Sequence, residues 1–322
     1  MQLILNIRFA RKAIIVLIVI LVLLSIGFIS EIVRRDVMDK HSPPGEFVDY
    51  EQSKIHYIKK GTGDKTVVFS SGNGTSSPYA DMYHVQNEIS PHAETIVYER
   101  PGYGWSDSTT RSRSIDTMTD EMKKVLDEAS ENHSFIFVGH SMAALEIFSY
   151  AQKYPEKVDG IVLMDGVHPQ YASDMESSIP LSIHLTKFLK NTGSLRLLSN
   201  FKFFQDNLVQ GEHLPDHVKN EGISFALDRM WNKTILQERK AIPENGKQVS
   251  TEGNLGDTPL VIFSASKNPM DGWTTSQETL PEMSDNAEQI WIDTDDHFVH
   301  HEESGMIVEE IKNLLKSKEG SE

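Results

Sequence analysis

Gly139-His140-Ser141-Met142-Ala143 stands between the strand-like run SFIFV and the helix-compatible AALEIFSYAQKYP. A serine on a sharp strand-to-helix turn has its hydroxyl lifted clear of the sheet, and small neighbours let strand and helix approach closely; the arrangement is a nucleophile elbow. The G-x-S-x-G pattern closes here on Ala143, one methyl group more than glycine. A serine hydroxyl needs a base to take its proton, and histidine, with an ordinary pKa of about 6.5, suits that task near neutral pH. Of the 13 histidines, the densest group is Asp296-His297-Phe298-Val299-His300-His301-Glu302-Glu303, just after the strand-like QIWID. Such crowding also suits a metal, but His300 would have to share a ligand face with His297 across a loop. No metal and no cofactor are expected. With no cysteine in the chain, thiolate nucleophiles, disulfides and Cys-ligated zinc or iron–sulfur sites are excluded.

The elements that must position these groups alternate short β-branched runs with longer helical patterns, the mark of a mostly parallel sheet covered by helices. Strands are expected as a hairpin over 47–59, then TVVFS (66–70), TIVYE (95–99), SFIFV (134–138), GIVLM (160–164), LVIFS (260–264) and QIWID (289–293). Helices are expected near 79–89, 114–130, 142–154 and 302–315, the last placing Ile307, Ile311, Leu314 and Leu315 on one core-facing side. Between Val167 and Gly256 no strand-like run occurs, only helical segments at 181–189, 195–204 and 225–237 broken by Pro180, Gly193, Pro215 and Pro243. A stretch that long is a helical insertion rather than a loop. It is expected over the strand ends, where open α/β sheets bind ligands.

The N-terminus differs from the rest. Ala13 to Ser30 is an uncharged, all-round apolar run of 18 residues, which at 1.5 Å per residue just spans a bilayer core of about 30 Å. Arg8, Arg11 and Lys12 precede it, favouring a cytoplasmic N-terminus and a single-pass protein with its catalytic part outside the cell. A cleaved signal peptide is the alternative, though its apolar region usually runs only 7–15 residues. The formal charge of −16 disfavours nucleic-acid partners. The first 40 residues hold six Lys/Arg and three Asp/Glu, so the remainder carries −19. The expected organisation is a cytoplasmic 1–12, an anchor over 13–30, a linker over 31–46, a core over 47–166, a helical cap over 167–256, the second part of the core over 257–317, and a tail over 318–322.

Four motifs in order, SSGNGTSSP, ERPGYGWSD, GHSMA and DDHFVHH, resemble those of α/β-hydrolase fold enzymes, more narrowly the membrane-anchored or secreted hydrolases of Gram-positive bacteria. The resemblance covers about Phe47 to Leu315. It implies an α/β fold with helices on both faces of the sheet and a cap, following the transmembrane helix, and a serine esterase with a catalytic triad. Ser141 would be the nucleophile and His297, after the last strand, the base. For the acid, LVIFSASKNPMD offers Asn268 and Asp271, while GIVLMDGVHP offers Asp165 at the end of the strand after the nucleophile helix. An amide cannot balance a histidine's charge; Asp165 is the expected acid and Asp271 the second choice. Oxyanion donors would be the backbone N–H of Met142 and of the loop after TVVFS, Asn73 first and Gly72 as alternative. Arg100 is expected to support its turn rather than to bind substrate.

The chemistry so implied is cleavage of a small-molecule ester, thioester or amide through an acyl-enzyme on Ser141. Dehalogenation and epoxide opening are disfavoured, since in this fold they use a carboxylate nucleophile. An aminopeptidase-like hydrolase of short peptides and a non-catalytic ligand-binding or signalling protein remain the alternatives.

Overall fold

The computed structural model describes residues 2–38, 43–209 and 214–317. Helix α1 runs from Gln2 to Met38. It therefore passes both ends of the expected anchor and extends into the expected linker; 39–42 and 318–322 lie outside the described residues. An opening hairpin follows, β1 (Glu46–Tyr50) and β2 (Ser53–Lys60), then β3 (Thr66–Ser70), α2 (Pro78–Ile89), β4 (Glu94–Glu99), α3 (Ile115–Ala129), β5 (Phe135–His140), α4 (Ala143–Lys153) and β6 (Val158–Met164). The insertion contributes α5 (Pro169–Asp174), α6 (Leu181–Asn191), α7 (Ser194–Leu198), α8 (Lys202–Leu208), α9 (Asp216–Arg229) and α10 (Lys233–Thr251). The chain then forms β7 (Leu260–Ala265), α11 (Trp273–Thr279), β8 (Ala287–Ile292), α12 (Val299–Glu302) and α13 (Ser304–Lys316).

The strands make one eight-stranded sheet in the order β1-β2-β4-β3-β5-β6-β7-β8. From β4 to β8 all pairings are parallel, and the β1–β2 hairpin is added antiparallel at one edge. β3, β5, β6 and β7 are buried along their full length, which is why they are continuous apolar runs rather than alternating ones. Successive residues of each strand feed two cores. Val68, Phe137, Leu163 and Ile262 pack with α3, α4 and α10 on one face; Phe69, Val138, Val162 and Phe263 pack with α2 and α13 on the other. The α13 contribution is the expected stripe of Ile307, Ile311, Leu314 and Leu315, each buried side chain contributing about 1.5–3 kcal/mol.

Helix α2 starts where Ser77 accepts a hydrogen bond from the Ala80 N–H and Pro78 takes the first turn, a residue whose missing N–H costs nothing there. Helix α10 departs from expectation. Pro243 lies inside it, although an interior proline costs a helix about 3 kcal/mol. Ile235, Glu238, Ile242, Asn245, Gly246 and Val249 are buried on both sides of that proline, and this packing outweighs the local penalty. Gly246 is fitted to it: a Cβ there would lie 2.6 Å from the Ser173 nitrogen and 2.7 Å from the Ala172 Cβ, on or beside α5.

The described chain forms two compact units: α1 with Pro180–Leu208, and Pro43–Ile179 with the chain from Val209 on. The expected cap is thus shared. Helices α6 to α8 group with α1, and α5, α9 and α10 group with the sheet.

Candidate active site

Strand β5 ends at His140, and α4 begins at Ala143. The turn between them forces Ser141 to φ +54°, a left-handed conformation costing a non-glycine residue about 1–3 kcal/mol. Backbone bonds hold it there: the Ser141 N–H donates to the Met164 carbonyl at 3.3 Å, and the Ser141 carbonyl accepts from Val167 N–H at 3.0 Å. Close packing explains the small neighbours, since a Cβ on Gly139 would come within 2.4 Å of Ile147 Cδ1. Ala143 fits in the fifth position, 3.4 Å from that hypothetical Cβ; with glycine opposite, its methyl group has room.

His297 follows β8, and its Nε2 lies 2.8 Å from Ser141 Oγ while its Nδ1 lies 2.6 Å from Asp165 Oδ2. With the proton on Nδ1, the ring donates to the carboxylate and accepts from the serine hydroxyl. Asp165 directly follows β6 and is completely buried, with φ +46°. Three further donors hold its carboxylate: Ala265 N–H at 3.1 Å and Trp273 Nε1–H at 3.0 Å on Oδ1, and Asn268 Nδ2–H at 2.7 Å on Oδ2. The Trp273 ring also meets His297 edge to face, centroids 5.1 Å apart. Asp271 is not in this array. It is exposed, and its backbone carbonyl accepts from the Tyr171 hydroxyl at 3.0 Å.

The loop after β3 reaches the same place. A Cβ on Gly72 would lie 2.9 Å from Ser141 Cβ, so only glycine lets this backbone approach the nucleophile. The Asn73 side chain turns away, donating to Tyr103 Oη at 3.2 Å and Glu238 Oε1 at 3.1 Å. Met142 stands immediately before α4, where the helix dipole favours developing negative charge. Beneath the loop, Arg100 donates to the carbonyls of Ser71 at 2.7 Å and Gly72 at 3.3 Å. It also pairs with Glu238 of α10 at 3.1 Å. Arg100 therefore braces the loop against α10, a wider reach than the turn it belongs to.

Arg100 and Arg113 share the interior with Glu121, Glu146 and Glu238. Burial opposes ionisation of Glu238, but Arg100 and Arg113 hold its carboxyl below the usual range. Glu146 is pushed up by burial to about 7. With Glu146 protonated, the guanidinium groups of Arg100 and Arg113 face Glu238 and Glu121, the latter also 3.5 Å from Arg111 Nη2. The unfolded chain releases this proton near the ordinary value of 4.5, whereas the folded protein keeps it until about 7. Stability from this group is therefore full below 4.5 and is lost as pH rises to about 7. The Glu146→Gln variant should have a flatter plot of Tm against pH over that window and surpass the native protein above it. Parallel plots for the two proteins would refute this role.

His140 and His300 lie behind the site. His140 Nε2–H donates to the His297 carbonyl at 3.1 Å. Burial and the neighbouring His297 and His300 push His140 well below the usual histidine range, so it stays neutral and steadies the backbone that carries the base. Asp81 on α2 accepts from His300 Nε2–H at 2.9 Å, and His301 Nε2 lies 3.2 Å from the same oxygen. Burial opposes its ionisation, yet the two rings hold its carboxyl well below the usual range. These ligand atoms lie within 4.8 Å of one another, close enough for a cation, but Asp81 is already engaged as the acceptor of the His300 Nε2–H hydrogen bond that ties α12 to α2.

A mostly parallel sheet with serine, histidine and aspartate meeting at the carboxyl ends of its strands defines a class, the α/β hydrolases. The chain belongs to the alpha/beta hydrolase fold family, whose profile matches residues 65–304, and it is a hydrolase. It is similar to YbdG of Bacillus subtilis (strain 168), 26% identical over 223 residues, 69% of this chain and 68% of that one. It is 32% identical over 213 residues to the 2-hydroxy-6-oxononadienedioate/2-hydroxy-6-oxononatrienedioate hydrolase of Burkholderia vietnamiensis, covering 63% of this chain and 72% of that one. Among solved structures, Cfl2 of Burkholderia cenocepacia shares the fold, with a TM-score of 0.64 at 18% identity over 84% of this chain and 95% of that one.

Asn268, Trp273 and the Asp81–His300 pair are the parts of the site that sequence reasoning missed as partners. Asn268 is named in the sequence only as an amide weighed for the acid's place; its contact with Asp165, 103 positions away, has no sequence signal.

Proposed function

We propose that the protein is a serine hydrolase that cleaves a small-molecule ester, thioester or amide through an acyl-enzyme. The observation that carries this is the unbroken hydrogen-bonded line from Ser141 Oγ through His297 to Asp165. Ser141 Oγ attacks the carbonyl carbon and His297 Nε2 takes the hydroxyl proton. The Asp165 carboxylate stabilises the resulting imidazolium. The oxyanion receives the backbone N–H of Met142 and one from Gly72–Asn73, held by Arg100. His297 returns the proton to the leaving group, which departs with the acyl group left on Ser141. Water then attacks that ester as His297 takes its proton, and the acid is released with Ser141 restored.

One relative is named for 2-hydroxy-6-oxononadienedioate hydrolysis, which makes carbon–carbon cleavage of such a dienedioate by the same serine the second reading. A panel of p-nitrophenyl esters of graded acyl length, acyl thioesters, aminoacyl amides and that dienedioate separates the two. Ester turnover exceeding all the others is the expected result, and turnover confined to the dienedioate would overturn it.

We further propose that α1 anchors the protein in the cell membrane, with the hydrolase outside. Arg11–Val33 has a mean hydropathy of 3.2 over its most apolar window, none of it buried. The basic residues Arg8, Arg11 and Lys12 on its N-terminal side support that orientation.

A further inference from the structure

Within the unit formed by α1 and Pro180–Leu208, α1 is exposed from residue 11 to 33 except at Leu24, Gly27 and Glu31. Spacings of three and four put these on one helical stripe. At its centre, a Cβ on Gly27 would fall 2.1 Å from the Thr192 carbonyl oxygen, so the bare glycine backbone seats the α6–α7 turn. One helical turn on, Glu31 takes both Arg196 Nε–H at 2.6 Å and Arg196 Nη2–H at 2.9 Å. The turn therefore stands level with Gly27, six residues inside the Val33 end of the apolar span, or about 9 Å along the axis.

The surface of α6 to α8 suits that depth. Leu181, Leu185 and Phe188 recur at four and three residues along one side of α6 and are 82%, 56% and 53% exposed. Leu197, Phe201 and Phe203 are 72%, 64% and 73% exposed. In the sheet-bearing unit, by contrast, no large apolar side chain among the described residues is more than 43% exposed. Charge points the same way. Residues 180–208 contain four Lys/Arg and one Asp in a chain of −16; Lys190 is buried and Arg196 is paired with Glu31, which leaves Lys187 and Lys202 as the basic residues on this surface.

We infer that Pro180–Leu208 is a membrane-interfacial element whose exposed apolar side chains lie among the headgroups and upper acyl chains of an anionic bilayer. This rests on the proposal that α1 is a membrane anchor. Apolar helical faces with basic flanks bind in the outer 5–10 Å of a leaflet, the depth that Gly27 assigns to the α6–α7 turn.

The chain has no cysteine, so one introduced thiol carries one label. The full-length variants Val22→Cys, Leu185→Cys, Phe201→Cys and Lys247→Cys, each labelled with the environment-sensitive dye NBD, would be reconstituted in phosphatidylcholine/phosphatidylglycerol vesicles containing lipids with nitroxide at a shallow or a deep acyl position. Labels at 185 and 201 should shift to the blue and lose emission mainly to the shallow nitroxide. The label at 22 should lose it mainly to the deep one, and the label at 247, on exposed α10 surface, to neither. Labels at 185 and 201 behaving like that at 247, with the label at 22 still quenched, would overturn the interfacial element and leave the anchor standing. A blue shift without quenching at 185 and 201 would also overturn it, by marking a protein partner in place of lipid. An unquenched label at 22 would overturn the anchor, and the interfacial element with it.

Discussion

Replacing Ser141 with alanine is expected to lower kcat toward the best ester of the panel about 10⁶-fold, the size of effect seen when a serine nucleophile is removed from a complete array. Alanine has the same backbone restrictions as serine, so the strain at φ +54° is unchanged. The bonds to Met164 and from Val167 are backbone bonds and survive the change. Only Oγ and its contact with His297 Nε2 are lost. Thermal stability should therefore stay within a few degrees of the native protein, and the circular dichroism spectrum should not change. Retention of a tenth or more of native turnover by folded Ser141→Ala would remove Ser141 from the reaction.

The second large effect is expected at Asp165. Asparagine has nearly the same shape but only one acceptor oxygen. Directed at Ala265 N–H and Trp273 Nε1–H, that oxygen leaves the amide NH₂ facing Asn268 Nδ2 and His297 Nδ1. His297 can then accept there only by moving its own proton to Nε2, the atom that must take the serine proton. A wrong tautomer of this kind lowers kcat about 10⁴-fold. The buried donor-to-donor contact with Asn268 should also cost about 1–3 kcal/mol of stability, read as a lower Tm. Asp271→Ala, a change on exposed surface, should leave kcat within about two-fold. If Asp165→Asn kept native turnover while Asp271→Ala lost it, the acid would have to be reassigned.

The parts of the fold legible in the sequence are those with a local physical signal. TVVFS, SFIFV, GIVLM and LVIFS are strands buried on both faces, and continuous apolar runs of that length have few other uses. Ser141, His297 and Asp165, expected from strand ends and motif order, are the three side chains that meet. What stayed hidden depends on partners distant in sequence. Trp273 reaches Asp165 across 108 positions and His300 reaches Asp81 across 219, and no periodicity reports such a pairing. Pro243 reads as a break, yet it lies within α10 because that helix packs closely on α5. The division of the insertion was equally invisible, since the glycine that admits the α6–α7 turn is Gly27, in a segment whose composition speaks only of lipid.

The central claim, a hydroxyl at Ser141 activated by His297 for covalent catalysis, is tested most directly by intact-protein mass spectrometry after exposure to a fluorophosphonate. The native chain should gain the mass of one phosphonyl group, mapped by peptide sequencing to Ser141, and both Ser141→Ala and His297→Ala should gain none at the same exposure. A folded native protein that takes up no label, or takes it up on a residue other than Ser141, would contradict the account.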